Sequence, residues 1–170
     1  MILGMSTSAF TLFHVVISLI AIVAGFVVAF MMLGSRTSDG WTATFLAMTA
    51  LTSITGFPFP RDHVLPSHIV GVISLLVLIV ASVALYGYRL ARSWRWIYVA
   101  SALFALYLNV FVLVIQAFLK VAILKELAPT QSDPVFIVAQ LIVLALFVAL
   151  GIMALRRFHP EVHGSALRPA

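Results

Sequence analysis

The sequence predicts an all-α fold, an integral membrane bundle of five transmembrane helices with the N-terminus outside and the C-terminus cytoplasmic. Two observations indicate this class: 64% of the residues are hydrophobic and 9% are charged, and the mean hydropathy is +1.19. Soluble domains are about half apolar and about a quarter charged. A chain of 170 residues could not bury so much apolar surface in one core, so its apolar runs are expected to cross a bilayer.

Five apolar runs approach the ~20 residues that a helix needs to cross the hydrocarbon core of a membrane. The predicted spans are residues 10–33, 41–57, 68–88, 96–119 and 135–155. Short connections separate them, so residues 1–170 are expected to form a single transmembrane domain. The first run is longer than the apolar region of a signal peptide, and no Lys or Arg precedes it. It is therefore predicted to be a retained span.

The second predicted span is the shortest. At ~1.5 Å per residue it covers roughly 25 Å, and Pro58 and Pro60 prevent the helix from continuing. The connection that follows concentrates prolines and polar residues, including Arg61, Asp62 and His63. Irregular backbone at membrane depth is tolerated only where protein or a water-filled cavity surrounds it. We therefore expect a pocket in the outer leaflet, with this connection as one wall.

The fourth span has the opposite property, because helical character continues beyond it. The pattern that begins at Trp96 predicts a helix towards Leu127, which Pro129 ends. This extension would carry Lys120 and Lys125 into water. It is expected to form a small cap over the outer mouth of the bundle.

The distribution of basic residues sets the predicted orientation. With five spans, seven arginines fall on one face: Arg36, Arg89, Arg92, Arg95, Arg156, Arg157 and Arg168. The other face carries Arg61, Lys120 and Lys125. The positive-inside rule places the first face in the cytoplasm. The basic residues thus report orientation in a cell membrane, expected to be a bacterial inner membrane, and no nucleic-acid partner is expected.

Strongly polar side chains are rare within the spans, and five of them fall in the outer half. They are His14, His68, Asn109, Gln116 and Gln140. Such residues usually face the interior of a bundle, and an ionisable group inside a membrane is a functional candidate by default. These five are the predicted ligand- or cofactor-binding residues.

Several chemistries fit this set. His14 and His68, on different helices at similar depth, could ligate a haem, or with Asp62 and His63 they could bind a divalent metal. A histidine with a nearby amide could instead hydrogen-bond a quinone or lipid. Arg61 and Lys120 could contact an anionic headgroup or carboxylate. The chain has no cysteine, which excludes disulfides and thiolate ligands.

The same side chains have a structural interpretation, in which they hydrogen-bond between helices. Two further functions therefore stay open beside a ligand-holding bundle. The first is a non-catalytic accessory or assembly subunit of a membrane complex, with the polar stripe packed on a partner subunit. The second is a small transporter that works as a homo-oligomer. Whether the chain is an enzyme is left open.

Overall fold

A computed structural model of the chain describes residues 4–58 and 66–160, except for the side chains of residues 66 and 67. The described residues form helices and turns without a β-strand. In chain order the helices are α1 (Thr7–Leu33), α2 (Asp39–Gly56), α3 (Pro66–Ser82), α4 (Trp94–Lys120), α5 (Ala122–Leu127) and α6 (Pro134–Arg157). A π-helical turn, Val83–Gly87, continues α3. The predicted all-α class is confirmed.

Four segments are long and apolar enough to cross a membrane: Thr7–Leu33, His68–Gly87, Trp94–Lys120 and Pro134–Arg157. The chain is therefore a multi-pass membrane protein. The second predicted span coincides with α2, an 18-residue helix that carries five threonines and a serine. Because α2 is not among the four, the count of five spans stays a prediction.

The helix ends follow from local chemistry. At the start of α1 the Ser6 hydroxyl accepts a hydrogen bond from the Ala9 amide at 3.2 Å, which satisfies one of the amides that a helix leaves unpaired. Gly34 ends α1, and Ser35 then adopts a φ of 56°. Pro134 opens α6, where its missing amide hydrogen costs no helical hydrogen bond.

The fourth helix differs from its prediction at its C-terminal end. A continuous helix towards Leu127 was expected, but α4 ends at Lys120 and the separate helix α5 begins at Ala122. Val121 lies between them in an extended conformation, with φ −86° and ψ 118°. The chain bends there, and Ala128 then packs in a small apolar cluster with Phe118 and Phe136.

The four helices α1 to α4 pack in a ring, each against the next, and α4 closes the ring against α1. Helix α6 lies outside this ring, against α4 and α1. Sequential helices run antiparallel, so the bundle has two ends. We call the end near His14 and His68 the histidine end, and the end near Arg36, Arg89 and Arg157 the arginine end.

The main apolar core lies in the middle of the bundle and towards the arginine end. It includes Val28 and Met32 of α1, Phe45 of α2, Leu106 of α4 and Phe158, which follows α6. The Ser35 hydroxyl accepts a hydrogen bond from the His159 amide at 2.7 Å, which ties the end of α6 to the turn after α1. The arginine end is thus closed by apolar packing and by this hydrogen bond between the His159 amide and the Ser35 side chain.

Close approach of three helices depends on Gly25. A Cβ atom at this position would lie 2.5 Å from Leu106 Cδ1 and 2.9 Å from the Phe45 ring, closer than unstrained carbon atoms can approach. Small residues allow helices to pack closely in membranes, where apolar burial alone gives little driving force.

Replacing Gly25 should therefore destabilise the bundle. We expect Gly25→Ala to lower the free energy of unfolding by about 1–3 kcal/mol, the usual effect of overpacking, and Gly25→Leu to lower it further. The measurement is unfolding in detergent micelles followed by circular dichroism. The matched control is Gly151→Ala, since a Cβ there meets no atom within 4 Å. Equal stability of both Ala variants would contradict the packing role of Gly25.

Candidate functional site

His14 lies in the half of α1 near the histidine end and contacts the last turn of α2. Its Nδ1 atom is 2.8 Å from Thr55 Oγ1. The Thr55 hydroxyl also contacts the Leu51 carbonyl of its own helix at 2.7 Å, and the direction of its hydrogen bond with His14 depends on the imidazole tautomer. The contact fixes the orientation of the ring.

His68 lies in the first turn of α3 and contacts the residue that ends α2. Its ring stacks on Phe57, with centroids 5.7 Å apart and an interplanar angle of 12°. The His68 side chain is half-buried. A stacked aromatic ring restricts the imidazole to a narrow range of orientations.

Two glycines bring these three helices together at this point. A Cβ atom on Gly56 would lie 3.9 Å from His14 Cε1, and one on Gly71 would lie 3.4 Å from Phe57 Cζ. The segment Gly56–Phe57 is therefore in contact with His14 on one helix and His68 on another. The structure brings the two predicted histidines to the same short segment.

Asn109 lies deeper in the bundle than the histidines. Its amide donates to Thr49 Oγ1 at 3.0 Å, and Thr49 is fully buried. Thr49 precedes Thr55 by six residues, or ~9 Å along a helix. Asn109 thus connects α4 to α2 nearer the middle of the bundle.

Gln140 joins a different pair of helices. It is buried on α6, and its Nε2 atom donates to the Phe111 carbonyl of α4 at 3.2 Å. Its Oε1 atom is buried and has no hydrogen-bond partner within residues 4–58 and 66–160. Because α6 packs on α4 and α1, Gln140 lies outside the ring of α1 to α4.

Gln116 is at the depth of the histidines but faces outwards. Helices α2 and α4 run parallel, and Asn109 is level with Thr49, so Gln116 is level with Gly56, seven residues further along each helix. Its side chain is exposed, as is that of Lys120 one turn beyond. The side chain of Gln116 is thus exposed on α4 rather than directed into the bundle, and its part in ligand binding stays a prediction.

The remaining predicted site residues, Arg61, Asp62 and His63, lie outside the described residues. Within the described part of the chain, no group of three His, Cys, Asp or Glu side chains could hold a metal ion. The metal site predicted from His14, Asp62, His63 and His68 therefore stays a prediction.

Sequence reasoning missed the part that α2 contributes. Its buried polar residues are Thr42, Thr49, Ser53 and Thr55. Thr49 and Thr55 are the partners of Asn109 and His14, and Ser53 donates to the Thr49 carbonyl at 3.0 Å. The spacing of Thr42, Thr49 and Ser53 is a one-face helical spacing. That signal was present in the sequence and could have identified an inward-facing hydroxyl stripe.

Comparisons of the chain with models of protein families, with curated proteins and with solved structures found no match. The chemistry of the site therefore rests on its own geometry. The arrangement offers one imidazole oriented by a hydroxyl group and a second imidazole stacked on an aromatic ring. These groups can coordinate a metal centre or accept a hydrogen bond.

The His14–Thr55 contact should contribute measurably to stability. In a double-mutant cycle with His14→Leu and Thr55→Val, we expect a coupling of about 0.6 kcal/mol, the average for hydrogen bonds between membrane helices. The measurement is unfolding in mixed micelles. The control cycle pairs His14→Leu with Thr44→Val, because Thr44 donates to its own helix at Gly40. A coupling no larger than in this control would argue against the hydrogen bond.

Proposed function

We propose that this chain is a bacterial inner-membrane protein that holds a lipophilic ligand or cofactor at the histidine end of the bundle. The observation that carries the proposal is the 2.8 Å contact between His14 Nδ1 and Thr55 Oγ1. We propose that Nδ1 donates in this contact, so that the lone pair of His14 lies on Nε2, the atom that would ligate iron or accept a proton. Ligating histidines usually donate their other ring N–H to a fixed acceptor.

His14 and His68 are the residues proposed to contact the ligand. Both contact the end of α2, and Phe57 adds an aromatic surface beside His68 on which a planar ring could stack. A haem would take the Nε2 lone pair as an axial ligand, and a quinol would donate its O–H to the same atom. Gln116, at the same depth, is proposed to contact the outer part of the ligand.

Asn109 and Gln140 support the proposed site from further away. Each bonds to a neighbouring helix, Asn109 to Thr49 and Gln140 to the Phe111 carbonyl. Hydrogen bonds of this kind fix the rotation of helices in a membrane. These residues would position the helices that form the walls of the site. The main apolar core lies between the site and the arginine end.

Ligand binding can be tested with purified protein. The absorption spectrum in mild detergent reports haem, and mass spectrometry of an organic extract reports quinones. Titration with haemin and with a short-chain ubiquinol then gives affinities. We expect His14→Ala and His68→Ala each to weaken binding of the ligand at least tenfold, and Thr55→Val to weaken it about tenfold because it orients His14.

The matched control is His159→Ala, since His159 is exposed at the arginine end and should leave binding unchanged. Retention of full binding by both His14→Ala and His68→Ala would contradict the proposal. A protein that binds neither probe and yields no ligand on extraction would do the same.

We further propose that α2 crosses the membrane, which gives five spans with the N-terminus outside and the C-terminus in the cytoplasm. Its 18 residues cover ~27 Å at ~1.5 Å per residue. Its threonines lower its hydropathy, yet Thr44, Ser53 and Thr55 donate to carbonyls of α2 itself. Because these hydroxyls are bonded, their cost in hydrocarbon is much reduced.

The absence of cysteine makes the topology directly testable with single-cysteine variants. If α2 crosses the membrane, Thr37→Cys and Ser93→Cys lie on the same face, and Ser132→Cys lies on the other. In intact cells a membrane-impermeant maleimide should label only Ser132→Cys. If Thr37→Cys and Ser93→Cys differ in labelling, α2 does not span and the five-span topology is wrong.

A second candidate is an accessory subunit of a membrane complex. The exposed side chain of Gln116 favours it, because an amide on the surface of a membrane helix can hydrogen-bond across a subunit interface. Crosslinking from Gln116→Cys to a second protein in cells, combined with the absence of any co-purifying ligand, would favour this function over ligand binding.

A further inference from the structure

An apolar groove runs along the exposed surface of the bundle, between α3 and α4, at the arginine end. Its volume is about 430 Å³, and the residues that shape it include Leu76 and Val80 of α3 and Trp96, Ala100 and Phe104 of α4. Trp96, Ala100 and Phe104 are spaced by four residues, so they share one helical face. The small side chain of Ala100 between two large aromatic ones leaves the depression.

The connection at the mouth of this groove is basic. Arg89 and Arg92 lie between α3 and α4, and Arg95 lies in the first turn of α4. Arg89 and Arg92 are exposed. The chain has no Asp or Glu between Asp62 and Glu126, so neither helix that forms the groove supplies a carboxylate to neutralise these arginines.

The backbone of this connection adopts an uncommon left-handed conformation at three residues. Arg89, Leu90 and Arg92 have φ values of 46°, 60° and 50°, a region that residues other than glycine rarely adopt. The rings of Tyr88 and Trp94 stack across it at 3.9 Å with an interplanar angle of 5°. Such strain persists only where the surrounding structure holds it, and it concentrates at functional sites.

We propose that the groove binds one anionic phospholipid, with its headgroup at Arg89, Arg92 and Arg95 and an acyl chain along Trp96, Ala100 and Phe104. The groove from Trp96 to Phe104 extends ~12 Å along α4, and it is almost entirely apolar. Charge complementarity selects the headgroup: basic pockets between membrane helices bind acidic lipids. Tryptophan at the mouth fits the interface between headgroups and acyl chains. This site is separate from the histidine end and does not depend on the function proposed for it.

The occupant can be tested with the full chain reconstituted in vesicles. In the background Trp41→Phe, Trp94→Phe, the tryptophan fluorescence comes only from Trp96 and is quenched by brominated acyl chains in contact with it. Brominated phosphatidylglycerol and brominated phosphatidylcholine then report which lipid occupies the groove. We expect the wild-type chain to prefer phosphatidylglycerol at least tenfold. The triple variant Arg89→Gln, Arg92→Gln, Arg95→Gln should lose this preference, and Ala100→Leu should reduce quenching by filling the groove.

Two controls separate a specific site from general surface charge. The variant Arg156→Gln, Arg157→Gln removes two exposed arginines from the same end, and Ala145→Leu enlarges an exposed alanine on α6. Both should retain the wild-type preference. Equal quenching of the wild type by the two lipids would overturn the proposal, as would a loss of preference in the Arg156/Arg157 variant as large as in the triple variant.

Discussion

The hydroxyl groups of α2 impose the constraint on which the arrangement of the other helices depends. A buried polar group costs free energy unless it is hydrogen-bonded, so the buried hydroxyls of α2 favour bonds to its own carbonyls or to other helices. Ser53 uses the first solution, and Thr49 uses the second. Thr55 uses both, since its hydroxyl contacts the Leu51 carbonyl and the His14 ring. Neighbours are therefore required around α2, and the ring of α1, α2, α3 and α4 supplies them.

The same constraint separates the two halves of the bundle. Towards the arginine end the main core is apolar, with Gly25 allowing α1 to approach Phe45 and Leu106. Two hydrogen bonds accompany this core, from the His159 amide to Ser35 and between the side chains of Tyr98 and Thr42. Near the histidine end the contacts that join helices include His14 to Thr55 and the stacking of Phe57 on His68. Polar and aromatic contacts specify orientation more than close packing does. The His14–Thr55 and Phe57–His68 contacts thus orient the helices at the end that lies away from the main apolar core.

Most of the fold could be predicted from the sequence because a membrane helix is encoded locally. The run predicted at residues 135–155 became Pro134–Arg157, and the run at 10–33 became Thr7–Leu33. Local signals did not reveal the break at Val121, because nothing in its residue type distinguishes it from other helical valines of the chain. It depends on how Ala128 packs against Phe118 and Phe136, which is a tertiary effect.

The site could be predicted only in part for a related reason. Depth in the membrane follows from counting residues, and this placed His14 and Gln116 at similar levels. Which side chains meet depends on the rotation of each helix about its axis, and His14 meets Thr55 across 41 positions in the sequence. Neither the direction of Gln116 nor the role of α2 could be obtained without that rotation.

Three side-chain oxygens are buried but unpaired within the described residues. Thr52 Oγ1, Ser74 Oγ and Gln140 Oε1 have no hydrogen-bond partner there. A rotation about χ1 would bring either hydroxyl to a carbonyl one helical turn back. Gln140 Oε1 can only accept, and the amides around it already serve the helices, so it needs a donor from a side chain, water or ligand. Since Gln140 bonds to Phe111, two residues beyond Asn109, this unmet acceptor lies close to the depth of the α2 hydroxyls. Helix α6, on the other side of α4, thus also presents a buried group that needs a hydrogen-bond donor, in addition to the contacts of His14 and His68.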